Sequence, residues 1–224
     1  MLLVGGRSME ATVWFLTGNQ GKLEEAQLHF APLGYEIKQL VVPEGALVEP
    51  QSASLQDIAI SKLEQAKAHL PTPDAMIMVE DSGLFINALD GFPGVYSSYV
   101  HDTIGCQGIL RLLAHLESED PVQHKNLRAA SYRAVIAMWN GTSMYVGLGE
   151  CPGSLASEMH EGHGFGYDPI FVPLDLDDFG QPLPAGELGS TSTHGTAFGG
   201  VEIDIKHHFS HRRRALENLL EQLP

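Results

Sequence analysis

The chain has 224 residues, 43% of them hydrophobic and 18% charged, a composition ordinary for a soluble globular protein and sufficient to bury a sizeable core. Its 13 Lys and Arg against 28 Asp and Glu give a net charge of −15, which argues against non-specific binding to nucleic acid or anionic membranes. A small anionic ligand remains possible where the few basic residues converge, and two cysteines, Cys106 and Cys151, in no zinc spacing, favour a reducing, cytoplasmic setting over a disulfide framework.

In chain order, residues 1–10 ("MLLVGGRSME") read as a loose leader, with an apolar run too short for a secretory signal and Met9 as a second candidate start. No stretch approaches the length of a membrane span. A short buried strand, Ala11 to Leu16, runs into "TGNQGK"; Leu23, Ala26, Leu28 and Phe30 then predict a helix face, stopped by Pro32 and Gly34. "YEIKQLVV" alternates as a second strand. Ser54 followed by Asp57 reads as a capping box, opening a helix with Leu55, Ile58, Ala59, Leu63, Ala66 and Leu70 on its apolar face. The run Ala75 to Val79 is a third strand, expected to end at Glu80 and Asp81, and "DGFPG" is a turn. A helix is predicted over Ile104 to Leu116. Two β-rich runs, Leu127 to Trp139 and Thr142 to Gly149, flank Asn140-Gly141, a hairpin signal. The acidic Pro/Gly-rich loop from Pro173 to about Gly200 is long enough for a functional lid or a flexible insertion, and a last helix runs from about Ser210 to Leu223. This order predicts an α/β or α+β sheet protein with a hairpin-built second lobe and no internal repeat.

Four segments break local rules, which is where function is sought. In "TGNQGK", Gly18 and Gly21 let the backbone turn and present N–H groups at a helix N-terminus, and Lys22 adds a full charge. The chemistry is that of a phosphate cradle, with a plain βα turn as the alternative. It is not a Walker A loop, because Leu23 stands where a metal-binding Ser or Thr is needed. Glu80 and Asp81 lie at a strand's carboxyl end, where open α/β sheets place ligands. Their hard oxygens suit Mg²⁺, which takes one or two carboxylates plus substrate phosphates, and Asp57 joins them if its helix packs beside the strand. Solvated loop acids are the alternative.

In "GFGYDP" (Gly164 to Pro169), glycines let a flat ring slide against Phe165 or Tyr167, with Asp168 free to accept a hydrogen bond; core aromatics are the alternative. In "KHHFSHRRRAL", Ser210 is a good N-cap, yet His211, Arg212, Arg213 and Arg214 fill the first turn against the helix dipole. Something negative must compensate, either protein surface or an anionic ligand. His207 and His211 are spaced i, i+4, but the segment before Ser210 is not expected to be helical and zinc is not predicted there.

Together these segments resemble the inosine triphosphate pyrophosphatase family, from Val13 to about Leu220. The matching motifs are TGNxxK (Thr17 to Lys22), an acid-plus-Lys helix (Asp57, Lys62), (E/D)DSGL (Glu80 to Leu84), GxPGVYS (Gly91 to Ser97), GFGYDPIF (Gly164 to Phe171) and K-x4-HR after a Ser (Lys206, Ser210, His211, Arg212). The resemblance implies an elongated two-lobed α/β fold with a central twisted mixed sheet, a nucleotide cleft between lobes, and usually a homodimer. It also implies Mg²⁺-dependent hydrolysis of non-standard purine triphosphates such as ITP, dITP and XTP to monophosphate and pyrophosphate.

By the same resemblance Thr17, Gly18, Asn19, Gln20, Gly21 and Lys22 hold the phosphates, with Lys62 as a second cation. Asp81 is metal ligand or general base, Glu80 and Asp57 are its partner carboxylates, and Ser82 contacts substrate. Phe165, Gly166 and Tyr167 form the base platform, Asp168 is a polar contact, and Lys206, His211 and Arg212 read the purine edge. Asp57 stands where the family more often has Glu and Ile58 where it has Asn, so this shorter arm is expected to reach a metal only through water. Gly200 replaces an expected Glu, in a loop that is either disordered or alters access to the cleft. A pyrimidine-directed pyrophosphatase and a nucleotide sensor without turnover are the competing readings.

Overall fold

The computed structural model describes residues 11–162 and 164–223; the expected leader lies outside them. Six strands form one mixed sheet: β1 (Ala11–Leu16), β2 (Tyr35–Leu40), β3 (Met76–Ile86), β4 (Ala129–Trp139), β5 (Met144–Leu155) and β6 (Phe171–Pro173), in the order β2-β1-β3-β4-β5-β6. β1 pairs in parallel with β2 and β3, and every other pair is antiparallel. Parallel neighbours need crossover connections, supplied here by α1 (Gln20–Phe30) and α2 (Leu55–Ala66). The β4–β5 hairpin joins this same sheet.

β1 meets β3 only where Val13–Leu16 face Met76–Val79, and β3 then continues beyond its neighbour. The expectation that this strand ends at Glu80 fails for a simple reason. Only one edge of β3 loses its partner there; β4 pairs with the other edge as far as Ile86.

The helices cover both faces. α1 and α7 (His211–Leu220) lie over Val13, Phe15, Met78, Ala134 and Ile136, while α2 buries Leu55, Ala59, Leu63 and Ala66 against Ile77, Val79, Val135 and Ala137. Further along the sheet, Leu84, Ile86, Ile109, Leu113, Phe171 and Phe198 form a third cluster beneath α3 (Ser97–Thr103) and α4 (Gly105–Leu112). Between these and the hairpin comes α5 (Pro121–Leu127), N-capped by Asp120.

Local signals account for most boundaries. Asn19 caps α1 by accepting from Lys22 N at 3.1 Å, and Leu23, Ala26 and Phe30 are buried. Leu28 is 70% exposed, because two residues from both Ala26 and Phe30 is the opposite side of a helix. Ser54 caps α2, accepting from Asp57 N at 3.2 Å, but the reciprocal half of the capping box is replaced by Ser52, whose Oγ accepts from Ser54 N and donates to Asp57. The helix expected over 104–116 starts earlier and divides into α3 and α4. Asn140 Oδ1 accepts from both Thr142 N and Ser143 N, so the hairpin turn is wider than a two-residue loop. The long loop is strapped down rather than loose: Leu176 and Thr191 exchange backbone hydrogen bonds, and Leu176, Ala197 and Phe198 are buried.

Two findings concern the chain's end. The segment before Ser210 is helical after all, as α6 (Ile203–His208), and buried Phe209 separates it from α7. α7 then lies close on β5, where a Cβ added to Gly149 would come within 2.0 Å of His211 O. Gly149→Ala should therefore push the α7 N-terminus off the sheet and cost about 1–3 kcal/mol, read as a lower denaturation midpoint. An unchanged midpoint would contradict this close approach.

Candidate active site

Side chains alternate along a strand, so Glu80 and Ser82 face α1 and α7 while Asp81 faces α2. The Glu80 side chain is 3% exposed and lies 3.0 Å from Arg212 Nε and 3.3 Å from Lys22 Nζ. Burial alone would raise its pKa; the charges of Lys22 and Arg212 outweigh that and hold it at about 2. Lys22 Nζ also donates to Ser82 Oγ at 3.4 Å. On the other face, Asp81 Oδ2 is 3.5 Å from Lys62 Nζ, which pairs with Glu49 as well. Here burial prevails over Lys62 and Lys22, and the Asp81 carboxyl is raised above its ordinary range.

The unpaired edge of β3 needs partners for its N–H groups. Ser82 N donates to Asp81 Oδ1 at 3.1 Å, and Leu84 N donates to Ser97 Oγ at 2.7 Å. Ser97 reaches the strand because Gly83 has no side chain; a Cβ there would stand 2.2 Å from Gly94 O. Asp81 is thereby held at the rim of a cavity of about 400 Å³ that Lys22 and Asn19 also line. The rest of the first loop shapes itself: Thr17 Oγ1 accepts from Asn19 N at 3.1 Å, Gln20 donates to Glu24 at 3.0 Å, and Gly18 and Gly21 are exposed.

The opposite wall carries the "GFGYDP" turn. Phe165 is 58% exposed, and its ring centre lies 5.2 Å from Lys206 Nζ and 5.5 Å from the Arg212 guanidinium. Tyr167 is not a free platform. It is buried beneath the turn, donates to Ser97 O at 2.9 Å and meets His101 edge-on. Asp168 is not a free acceptor either, since Lys206 Nζ at 2.5 Å and Phe165 N at 3.0 Å already hold its buried carboxylate. Gly166, between the two aromatics, lines the same wall.

The basic first turn of α7 is compensated inside the protein. Arg212 faces Glu80 and, at 3.7 Å, Glu25; Arg213 pairs with Glu217; Arg214 donates to the carbonyls of Glu150 and Gly180. His211 stacks on Tyr132 with centroids 5.1 Å apart, and burial, with Arg212 beside it, pushes its pKa well below the usual value. His207 and His211 lie on different helices, so their spacing carries no metal geometry.

The expected metal set of Asp81, Asp57 and Glu80 does not converge. Asp57 is exposed and bonded to Ser52, Glu80 points to the other face, and among the described residues no three His, Cys, Asp or Glu side chains gather. What remains is Asp81 at the cavity rim near Lys22 and Lys62. That donor set fits Mg²⁺, which keeps several waters and binds through one or two carboxylates with substrate phosphates. A cation there would also offset the cost that burial places on the Asp81 charge.

Glu25, Tyr132, His101 and Phe198 line the cavity without having been singled out in the sequence. Glu25 was accessible to reasoning, three residues after Lys22 on the same helix face. The others reach the site from distant elements, and nothing local marks them.

A sequence model of the Ham1 family matches residues 13–222. The chain belongs to the Ham1 family. Relatives of this Ham1 chain include the dITP/XTP pyrophosphatase of Thermococcus kodakarensis, 37% identical over 209 residues that cover 93% of this chain and 95% of that protein. The dITP/XTP pyrophosphatase of Methanopyrus kandleri is 38% identical over 210 residues, 93% and 94% of the two chains. A solved HAM1 protein from Coxiella burnetii matches the fold with a TM-score of 0.70 at 26% identity, covering 93% of this chain and 96% of its own.

The two acids of the Ham1 chain's site should give opposite stability slopes. Glu80 titrates lower folded than unfolded, so its stabilisation is full above about pH 4.5 and is lost as pH falls toward about 2. Asp81 titrates higher folded than unfolded, so its ionisation weakens the fold once pH rises past the ordinary value of 3.8. Thermal midpoints should thus rise at pH 7 for Asp81→Asn, the gain fading below pH 3.8, and fall for Glu80→Gln, the loss fading toward pH 2. Midpoint shifts of the same sign in both variants would contradict the opposed environments.

Proposed function

We propose that this chain is a nucleoside triphosphate pyrophosphohydrolase that converts non-standard purine nucleotides, dITP, ITP and XTP, to the monophosphate and pyrophosphate. One observation carries the reading: a single cavity with a carboxylate and a lysine at one end and an aromatic ring edged by cationic donors at the other. The near full-length similarity to proteins named dITP/XTP pyrophosphatases supports it.

The bond broken joins the α-phosphorus to the bridging oxygen of the leaving pyrophosphate, so negative charge must be neutralised on both sides while a water is held in line. Lys22 and Lys62 are the cations at that end. Lys22 keeps Glu80 and Lys62 keeps Asp81 as an acid partner, while their other partners, Ser82 and Glu49, are groups that phosphate oxygens can displace. Asp81 would hold Mg²⁺, which supplies charge neutralisation and phosphate orientation when bound. Asp81 also accepts a hydrogen bond from the attacking water and so holds it in line.

At the other end, Phe165 offers a stacking face worth about 1–3 kcal/mol per base. Lys206 and Arg212 present N–H donors beside it. Hypoxanthine and xanthine carry an oxygen at position six; adenine carries an amino group there, leaving a buried donor unpaired at about 1–3 kcal/mol. We place the enzyme in the cytoplasm, where the unbridged cysteines are stable. Exposed Phe92, Tyr96, Tyr99 and Ile104 around α3 support a homodimer, and Tyr99→Arg should convert it to monomer in sedimentation; an unchanged species would exclude that face.

Pyrophosphate release should be fast from dITP and XTP, slow from dATP, and absent without Mg²⁺. Asp81→Asn should lower kcat by about 10²–10⁴-fold while nucleotide binding persists. Release of orthophosphate with a diphosphate product, or equal rates on dATP, would contradict the proposal.

A further inference from the structure

Within that functional reading, on which this inference rests, Glu80 has contacts that none of the proposed steps uses. It stands on β3 between α1 and α7, with one carboxylate oxygen facing both Lys22 Nζ and Arg212 Nε. Lys22 belongs to the phosphate end of the cavity and Arg212 to the base end. We infer that Glu80 is a positioning residue that sets the two cations relative to one another, tying purine recognition to the grip on the phosphates, and that it is not a metal ligand.

Three features support this assignment. First, among the described residues no other acid holds both cations. Glu25 reaches Arg212 only at 3.7 Å, and its other oxygen accepts from Ser210 Oγ at 2.9 Å. Among the described residues, Lys22 contacts, besides Glu80, only the neutral hydroxyl of Ser82. Second, the geometry is closed. The Glu80 side chain is 3% exposed, against 17% for Lys22 and 16% for Arg212, so the cations reach the cavity and their counter-charge does not. Third, a divalent cation on the same oxygen would sit against two positive groups already at 3.0 and 3.3 Å, whereas Asp81 opens to the cavity. Removing the carboxylate's charge leaves two cations in one crevice with only Glu25, 3.7 Å from Arg212, to offset them. Each is then free to turn, and their mutual repulsion drives them apart.

The test compares wild type, Glu80→Gln and Asp81→Asn, each measured below its own thermal midpoint, for pyrophosphate release from dITP and dATP over a Mg²⁺ series. Glu80→Gln should lower kcat/KM for dITP by about tenfold or more and narrow the dITP-to-dATP preference, while half-saturating Mg²⁺ stays at the wild-type value. Asp81→Asn should raise the Mg²⁺ requirement instead. A loss of packing alone would lower the folded fraction without changing the preference between bases.

A Glu80→Gln enzyme that keeps the wild-type preference, or whose Mg²⁺ requirement moves as that of Asp81→Asn does, overturns the inference. If Glu80→Gln does not fold, Glu80→Asp keeps the charge but withdraws it by one methylene and must show the same narrowing; retention of the preference there overturns it equally. Wild type that releases no pyrophosphate from dITP defeats the functional reading and this inference together. An active wild type with an indifferent Glu80→Gln defeats the inference alone.

Discussion

Because β1 stops at Leu16 while β3 continues to Ile86, the edge of β3 from Glu80 onward has no strand beside it among the described residues, and the chain leaving β1 must turn away at that point. The turn is the "TGNQGK" loop, and the helix it opens delivers Lys22 to the same edge. The orphaned N–H groups of β3 are taken by Asp81 and Ser97, which fixes the Asp81 carboxylate at the cavity rim and draws the 94–97 turn across Gly83. The mismatch in strand length thus creates the opening, the acid at its rim and the approach of the lysine at once.

A chain of net charge −15 must build a local reversal of sign to bind a polyphosphate. On the proposed function it does so with cations paired to acids, the nearly buried Glu80 for Lys22 and Arg212, the buried Asp168 for Lys206 and the exposed Glu49 for Lys62. These acids are set behind or beside their cations, so the donors can be aimed without being left free to wander. Asp81 is the exception. Its charge is held against the preference of its surroundings, the kind of local cost that stability commonly bears where function requires it.

Much of this was legible in the sequence where a signal is local. The capping residue Ser54, the apolar face of α2 and the turn at Asn140-Gly141 between β4 and β5 each follow from neighbours within one turn of chain. The functional segments were legible as motifs in order, yet their partnerships were not. Glu80 and Asp81 read as one acidic pair, although the pleat sends them to opposite faces and gives them opposite electrostatic fates. Tyr167 and Asp168 read as ligand groups because burial by Ser97 and Lys206 depends on contacts 70 and 38 residues away. Tyr132 and Phe198 were invisible for the same reason. Spacing tells which residues share a face, and only the folded chain tells what that face meets.

The proposed function requires one crevice to grip a metal-bound triphosphate at Asp81, Lys22 and Lys62 and a purine at Phe165, Lys206 and Arg212. The most direct measurement is a crystal structure with dITP in the presence of Ca²⁺ in place of Mg²⁺ to slow turnover. The expected density places the cation on Asp81, the phosphates against both lysines and the hypoxanthine ring over Phe165. A triphosphate lodged elsewhere, or a cation seated on Glu80, would contradict it.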